Sequence, residues 1–125
     1  MISKKNTELI NKFNNYINTQ NIIGMQKLMT DDHIFTDSEN NVIRSKENCL
    51  KSWDKFFRLF PDYKNVFVSM IEKESSIIIE GYSTCSEVKL NGKAIWSTKI
   101  INNKIAEWRV YEDYPDNRKK LNLGY

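Results

Sequence analysis

The chain has 125 residues, 40% of them hydrophobic and 12% aromatic, and 19 Lys and Arg against 16 Asp and Glu give a formal net charge of +3. This length fits one globular domain, spanning residues 1–125, with room for one hydrophobic core and not for two. Charges of both signs are interspersed, whereas nucleic-acid-binding proteins concentrate Lys and Arg on one face, so we expect no nucleic-acid partner. No apolar run approaches the roughly 20 residues that span a bilayer, and no secretory signal is present. We therefore expect a cytoplasmic protein without a membrane partner.

The sequence lacks the patterns of metal, nucleotide and serine-hydrolase sites. Its two cysteines, Cys49 and Cys85, form no C-x-x-C pair, and His33 is the only histidine, so no zinc-site spacing can be assembled. It contains no G-x-x-x-x-G-K-[ST], G-x-G-x-x-G or G-x-S-x-G segment. A zinc site, nucleotide binding and serine-hydrolase chemistry therefore have no support in the sequence.

The first third of the chain is predicted to be mainly helical. Apolar residues recur at helical spacing from residue 9 to residue 17, and a shorter segment of the same kind follows at residues 22–29. Residues 30–32 are predicted to end this segment in a turn. Residues 33–37 are rich in β-branched and aromatic types, which predicts a short strand followed by a polar turn.

A second long helix is predicted to begin after Ser45, a favourable N-cap residue, and to end before Pro61, which disfavours helical geometry in the residue before it. Beyond it the apolar period changes to two, and we predict strands at residues 66–71, 76–88, 94–101 and 104–113. The pairs Asn91-Gly92 and Asn102-Asn103 predict tight turns, the first a type I′ hairpin turn. The remaining C-terminal residues are predicted to be a polar, solvated tail.

Helices followed by antiparallel strands predict an α+β domain, in which the N-terminal helices pack on one face of a curved antiparallel sheet. A cone of this kind encloses a pocket suited to a small ligand. The aromatic candidates for lining it are Phe35, Trp53, Phe56, Phe57, Phe60, Tyr82 and Trp96. An aromatic stripe at helical spacing is more often core packing, and both interpretations stay open.

Three segments, in their order and spacing, resemble one group of proteins. Residues 28–37 (LMTDDHIFTD) stand between the predicted helices, residues 56–63 (FFRLFPDY) contain F-P-D, and residues 103–113 (NKIAEWRVYED) form the last strand. The chain resembles the ketosteroid isomerase and SnoaL-like polyketide cyclase group over nearly its whole length. The F-P-D is similar to the one that ends their second helical region, and the last segment is similar to their G-K-I-x-E-x-x-x-x-x-D.

The resemblance implies the cone-shaped, cystatin-like α+β barrel of nuclear transport factor two, with an enclosed apolar pocket and no cofactor. It also implies a homodimer, which we expect to form through the sheet. Catalytic members of the group move protons on carbon next to a carbonyl, using a carboxylate as acid and base. Other members only bind ligands or partners, and the fold alone does not decide between these roles.

Asp37 lies where the isomerases place their base, at the end of the short strand. His33, Phe35 and Asp37 share one face of that strand, and a carboxylate in an apolar cavity is suited to act as a base. The alternative is a turn residue that caps Ser38 or Glu39. His33 has two roles open to it, as a proton shuttle or as a hydrogen-bonded structural residue.

Asp113 resembles the acid/base of the cyclases at the end of the last strand. By strand alternation Arg109 and Tyr111 share its face, and this face either lines a polar pocket or is the wet side, with Trp108 towards the core. Arg109 within reach of Asp113 or Glu107 would keep that carboxylate ionised, which disfavours acid catalysis and suits anion or carbonyl binding. Tyr16 is the one candidate in the first helix for the tyrosine donor of the isomerases.

The chain departs from both family patterns. Trp108 stands where the cyclases commonly carry His, Ser97 lies near the position of the isomerases' Asp donor, and Arg44-Ser45 replaces an expected Gly. Both catalytic constellations are therefore incomplete. The sequence predicts a protein that binds a small, largely apolar carbonyl compound. Two alternatives remain open, a cofactor-independent acid/base enzyme of isomerase or cyclase type and a non-catalytic ligand-binding or dimerisation module.

Overall fold

The structure is a computed structural model that describes residues 2–124. Its elements in chain order are α1 (Lys4–Asn18), α2 (Ile22–Leu28), β1 (Met29–Thr36), β2 (Val42–Arg44), α3 (Lys46–Leu59), β3 (Lys64–Lys73), β4 (Ser76–Thr84), β5 (Gly92–Ile101), β6 (Lys104–Glu112) and α4 (Pro115–Lys120). A single 3₁₀ turn, Val88–Leu90, lies between β4 and β5. Helices come first and a strand meander follows, so the predicted α+β order is confirmed.

The six strands form one open sheet in the order β2-β1-β6-β5-β4-β3. Neighbouring strands are antiparallel except β1 and β6, which run parallel. Register shifts interrupt three of the ladders, between Phe67 and Ser69, between Lys99 and Ile100, and within β1. Such bulges bend a sheet, and here they help to curve it around the helices that it carries.

The core lies between α1–α3 and one face of the sheet, which we call the inner face. The buried stripe of α1 consists of Leu9, Ile10, Phe13 and Ile17, as the helical spacing predicts. Phe13 packs on Trp108 of β6 with ring centroids 5.0 Å apart. The N-terminal helices therefore pack on one face of the sheet, as expected.

A bulge in β6 decides which of its side chains reach the core. Lys99 of β5 pairs with Glu107 and Ile100 pairs with Ile105, so Ala106 is an extra residue in the ladder. Because of this extra residue, Ile105 and Trp108 both point to the inner face and are fully buried. Of the two alternatives for this strand, Trp108 thus faces the core, and Arg109 and Tyr111 lie on the opposite, outer face.

The predicted polar tail is instead helix α4. The Arg118 guanidinium binds both carboxylate oxygens of Asp113, at 3.0 and 3.1 Å, and a carboxylate oxygen of Glu80 on β4. Ile78 and Ile95 are buried although they lie outside the main core cluster, and by alternation they belong to the outer face. The prediction of a solvated C-terminal tail is wrong because Arg118 fixes α4 to the sheet.

Local turn signals succeeded at one hairpin and failed at another. Asn102 and Asn103 both have positive φ, 52° and 61°, and join β5 to β6 in the predicted tight turn. At the other hairpin, Asn91 has a φ of −104°, so no type I′ turn forms there. Strand β4 ends at Thr84, and a loop of residues 85–91 replaces the predicted two-residue turn. β1 is also longer than predicted, since it begins at Met29.

Ser45 adopts a backbone conformation that glycine would adopt more easily. It is the N-cap of α3, with a φ of 81° and a ψ of 147°, and its hydroxyl accepts a hydrogen bond from the Asn48 N–H at 3.2 Å. This region of φ and ψ is strained for any residue with a Cβ atom. The resemblance to known proteins places a Gly here, and the positive φ supplies the physical reason.

We predict that Ser45→Gly stabilises the protein by about 0.5–1 kcal/mol, because relief of strain outweighs a lost cap and the greater freedom of the unfolded chain. Ser45→Ala keeps the strain and removes the cap, so it is expected to cost about 1 kcal/mol. Urea unfolding of the two variants measures both effects. A Gly variant less stable than the Ala variant would contradict this account.

Candidate functional site

A cavity of about 160 Å³ lies between α3 and the inner face of the sheet. Helix α3 forms one wall, and β1, β5 and β6 form the wall opposite. Its lining residues are Phe35, Asp37, Ser38, Cys49, Ser52, Trp53, Phe56, Tyr63, Leu90, Trp96 and Val110. Most of these side chains are apolar, so the cavity favours an apolar occupant.

The spacing along α3 explains how this wall forms. Cys49, Trp53 and Phe56 follow each other at intervals of four and three residues, which places them on one side of a helix. The Trp53 ring meets Phe35 of β1 edge-on at 5.5 Å, and the Phe56 ring meets Tyr63 edge-on at 4.8 Å. These aromatic contacts hold the helix wall against the sheet wall around the cavity.

Asp37 lines the cavity and also closes a turn. One carboxylate oxygen accepts hydrogen bonds from the N–H groups of Glu39 and Asn41, each at 2.9 Å. The other oxygen accepts from the Asn41 side-chain amide at 3.0 Å. The structure therefore shows the capping contact to Glu39, and it places the same carboxylate at the cavity.

Tyr63 contributes a hydroxyl that already has a partner. The Ser83 hydroxyl donates to the side-chain oxygen of Asn65 at 2.8 Å, so the Tyr63 hydroxyl donates to Ser83 at 3.2 Å. Burial raises the pKa of Tyr63, and the phenol stays neutral at physiological pH. This chain of hydrogen bonds ties the start of β3 to β4 at the edge of the cavity.

Two tryptophans of the lining have buried indole nitrogens without a partner among the described residues. The indole Nε1 atoms of Trp53 and Trp96 are buried and find no hydrogen-bond acceptor among residues 2–124. Trp96 is fully buried and Trp53 is 7% exposed. The indole of Trp108, which lies outside the cavity, is also without an acceptor in the part of the chain that the structure describes.

The thiol of Cys49 is not arranged as a nucleophile. It donates to the carbonyl oxygen of Ile43 at 3.4 Å, and burial raises the pKa of the thiol. A nucleophilic cysteine needs a lowered pKa in order to ionise near neutral pH. Cys49 is therefore a small apolar part of the wall.

His33 is packed in the core and does not line the cavity. Its Nδ1 atom lies 2.8 Å from the Ile105 carbonyl oxygen, so Nδ1 carries the proton and Nε2 is left as an acceptor. Burial lowers the pKa of His33, which keeps the imidazole neutral. Of its two proposed roles, this arrangement corresponds to the structural one, and it does not bring His33 together with Asp37.

The polar residues of the last strand lie away from the cavity. Asp113 is held by Arg118 on the outer side of the sheet. Arg109 donates to the Asn40 side-chain oxygen at 2.7 Å and lies 4.8 Å from the centre of the Tyr111 ring. Asp113, Arg109 and Tyr111 therefore do not meet Asp37 at the cavity.

The predicted aromatic lining residues fall into two groups. Phe35, Trp53, Phe56 and Trp96 line the cavity. The others pack elsewhere: Phe57 in the core, Phe60 on Phe56 at 5.1 Å, Tyr16 against Gly24, and Tyr82 on the outer face, where it is 42% exposed. An aromatic residue in this chain is thus no guide by itself to the cavity.

Sequence reasoning missed several lining residues that come from loops. Tyr63 precedes β3, and Leu90 ends the 3₁₀ turn between β4 and β5. No periodic pattern marks either position. The apolar parity of β6 does mark Val110, because it shares a face with Trp108.

The loop of residues 85–91, which carries Leu90, is anchored by Asp62. The Asp62 carboxylate accepts hydrogen bonds from the Ser86 N–H at 2.8 Å, the Ser86 hydroxyl at 3.1 Å and the Cys85 thiol at 3.4 Å. The Ser86 hydroxyl and the Cys85 thiol hold the pKa of Asp62 below its usual value. Asp62 belongs to the F-P-D segment, which therefore ties the end of α3 to the loop beside the cavity.

Two kinds of feature are absent from the described residues 2–124. They contain no group of three or more His, Cys, Asp or Glu side chains placed to hold a metal ion. They also include no helix with the length and apolar character needed to cross a membrane.

Solved structures match the fold of this chain. A candidate SnoaL-like polyketide cyclase from Shewanella putrefaciens has a TM-score of 0.75 and 15% identity, covering 97% of this chain and 87% of its own. A candidate ketosteroid isomerase from Kribbella flavida has a TM-score of 0.72 and 14% identity, covering 95% and 88%. An LEH-like epoxide hydrolase from M. tuberculosis has a TM-score of 0.75 and 12% identity, covering 89% and 84%. No family model and no curated protein matches the sequence.

The chain has the fold of SnoaL-like and ketosteroid isomerase-like proteins. The nuclear transport factor two-like architecture expected from the sequence is thereby confirmed. The names of the three matched proteins give three different activities, so the SnoaL-like fold does not select one. The activity of this chain depends on the residues in its own cavity.

We predict that the free energy of unfolding falls as the pH drops below 6.5, the ordinary pKa of histidine. His33 then becomes protonated in the unfolded chain, whereas in the folded protein burial keeps it neutral. The stabilising contribution is complete above pH 6.5 and is lost as the pH falls towards the lowered pKa of the folded state. The slope is expected to approach about 1.4 kcal/mol per pH unit. Urea unfolding from about pH 7.5 to about pH 5.5 measures it, above the range in which carboxylates titrate.

His33→Asn is the matched variant for this test. Its side-chain amide can still donate towards the Ile105 carbonyl, but it does not titrate. We expect the variant to lose the slope whatever its absolute stability. An equal slope in both proteins would show that another group is responsible.

We predict that Asp62→Ala loosens the loop of residues 85–91, because it removes three hydrogen-bond acceptor contacts at once. Hydrogen exchange at the Ser86 amide is expected to become faster, while exchange in α1 stays unchanged. In the unaltered protein the same loosening should appear as the pH falls below the usual Asp62 pKa of 3.8. Asp54→Ala, at a partly exposed carboxylate of α3 that pairs with Arg58, is the control, and equal protection of Ser86 in both variants would disprove the anchor.

Proposed function

We propose that this SnoaL-like protein binds a small, largely apolar molecule in the cavity between α3 and the sheet. The observation that carries the proposal is the cavity itself, with its apolar walls and a carboxylate, Asp37, at its lining. An enclosed apolar pocket with a few polar groups is the usual form of a small-molecule site. The matched folds of cyclase, isomerase and hydrolase candidates are consistent with such a site.

The cavity volume limits the size of the ligand. An apolar protein cavity of about 150 Å³ accommodates a molecule such as benzene. The cavity here is of similar volume, about 160 Å³. A ligand with one six-membered ring or a short branched chain therefore fits, whereas a fused multi-ring compound requires the walls to move apart.

Acid/base catalysis on a carbonyl compound is the second candidate, and Asp37 is the observation that favours it. It is the one carboxylate among the described lining residues. As a base it would take a proton from the carbon next to a ligand carbonyl and return it to a different position. Asp113 and His33 lie outside the cavity, so Asp37 would act without them.

We predict that Val110→Phe weakens binding of single-ring ligands at least about tenfold, because the larger side chain fills part of the cavity. Isothermal titration calorimetry with cyclohexanone and toluene measures the affinities. Val68→Phe is the matched control, since Val68 lies on β3 and is 71% exposed. Equal loss in both variants, or no binding to the unaltered protein, would disprove the proposed site.

The catalytic candidate predicts exchange of the α-protons of a bound ketone with deuterium from the solvent. Asp37→Asn should abolish this exchange and change the ligand affinity by less than about threefold. Asp113→Asn is the control and should leave the exchange unchanged. If the unaltered protein binds the ketone without exchange, the protein is a binding module and the catalytic candidate fails.

A further inference from the structure

We propose that Leu90 is a gate that closes the cavity, and that the anchor of its loop on Asp62 sets how often this gate opens. The inference rests on the proposed function, because it concerns how a ligand enters and leaves the same cavity. It adds to that function the part of the wall that moves and the residue that restrains it.

The lining residues that are not buried mark where the cavity approaches the surface. Most of them lie on α3, β1 or β6, and three lie outside α-helices and strands, namely Asp37, Ser38 and Leu90. Segments that open for a ligand come from the less stable parts of a fold, rather than from its packed helices and strands. The movable wall is therefore either the turn that holds Asp37 and Ser38 or the loop that holds Leu90.

The turn after β1 is fixed in place. The Asp37 carboxylate accepts three hydrogen bonds from residues 39 and 41, and the Asp37 N–H donates to the Asn41 carbonyl oxygen at 3.0 Å. Arg109 of β6 donates to the Asn40 side-chain oxygen at 2.7 Å, which ties the tip of the turn to the sheet. Opening this turn would break all of these contacts, so it is a static part of the entrance.

The loop of residues 85–91 is attached at its beginning. Asp62 accepts hydrogen bonds there from Cys85 and from the N–H and the hydroxyl of Ser86. For residues 87–91 the hydrogen bonds described within residues 2–124 stay inside the loop. The Leu90 N–H, for example, donates to the Glu87 carbonyl oxygen at 3.0 Å. The second half of the loop can therefore move without breaking a hydrogen bond to the rest of the described chain.

Leu90 is the side chain that this movement would carry. It is half-buried and packs against the hydrophobic core, whereas the other residues from 87 to 91 are exposed. Gly92, the first residue of β5, follows with a φ of 136°, and a Cβ atom there would meet no atom within 4 Å. Glycine changes its backbone angles at little steric cost, which suits a hinge. A swing between Ser86 and Gly92 would thus lift Leu90 away from the cavity.

A gate has a kinetic effect that a static wall residue lacks. The ligand passes the gate on entry and on exit, so a gate that is mostly closed slows association and dissociation by the same factor. The dissociation constant is then unchanged. By contrast, the loss of a wall contact acts mainly on the dissociation rate. The association rate therefore distinguishes a gate from a wall.

The test measures both rates with fluorobenzene, a ligand close in size to the benzene that a cavity of this volume accommodates. Exchange between its free and bound ¹⁹F NMR signals gives the two rates. We expect Leu90→Ala to raise the association rate at least about tenfold, because minor open states are commonly populated at roughly 10% or less. Asp62→Ala removes no lining atom. It should raise both rates at least about fivefold, the equivalent of one lost hydrogen bond, and leave the dissociation constant unchanged.

Val88→Ala and Asp54→Ala are the matched controls. Val88 lies on the same 3₁₀ turn as Leu90 and is 81% exposed, and Asp54 is a carboxylate of α3 that pairs with Arg58. We expect both controls to keep the two rates of the unaltered protein. An unchanged association rate in Leu90→Ala, or an equal rise in Val88→Ala, would overturn the gate. Equal rates in Asp62→Ala and Asp54→Ala would overturn the role of the anchor.

The same measurement separates failure of the gate from failure of the proposed function. If fluorobenzene binds none of these proteins, the proposed function fails and the gate fails with it. If it binds all of them with one association rate, the cavity stands as a binding site and Leu90 is only a part of its wall.

Discussion

The location of the cavity depends on how β6 presents its side chains to the helices. The extra residue at Ala106 turns both Ile105 and Trp108 to the inner face, where Phe13 of α1 packs on the Trp108 ring at 5.0 Å. That contact fills the α1 end of the concave surface. Two residues further along the same face, Val110 lines the cavity. One strand therefore supplies dense core at one end and a cavity wall at the other.

Charged groups are sorted between the two faces of the sheet. On the outer face Arg118 joins Glu80 and Asp113 in one cluster, where partial solvation lowers the cost of keeping three charges together. On the inner side Asp37 is the charged residue of the lining, and the donors of its own turn satisfy it. This division keeps the ion pairs of Arg118 on the outer face and leaves a mainly apolar lining on the inner face.

The spacing of apolar residues in the sequence predicts much of this fold, because a helix or strand with one buried face has apolar residues at regular intervals. Two local sequence patterns predict the structure correctly. One is the apolar stripe of α3 that contains Trp53, and the other is the pair Asn102-Asn103, which adopts positive φ in a tight turn. Asn91-Gly92 carries the stronger hairpin signal, yet a loop forms there whose first residues are bound by Asp62, remote in sequence. Helix α4 has no apolar stripe, and its position depends on the contact of Arg118 with Glu80, 38 residues away. Such distant pairings leave no periodic trace, and for that reason Asp113 could not be placed from sequence.

Two aspartates of the segments that carry the family resemblance have structural contacts in this chain. Asp62 of F-P-D holds the loop beside the cavity, and Asp113 of the last strand holds Arg118 of α4. These contacts hold the loop and α4 in place, and they do not involve a ligand. The same segments also supply part of the cavity lining, through Phe35, Asp37, Phe56, Tyr63 and Val110, and the rest comes from other positions such as Trp53 and Trp96. The fold is shared at 12–15% identity with proteins named for cyclase, isomerase and hydrolase activities, so the fold alone does not select an activity.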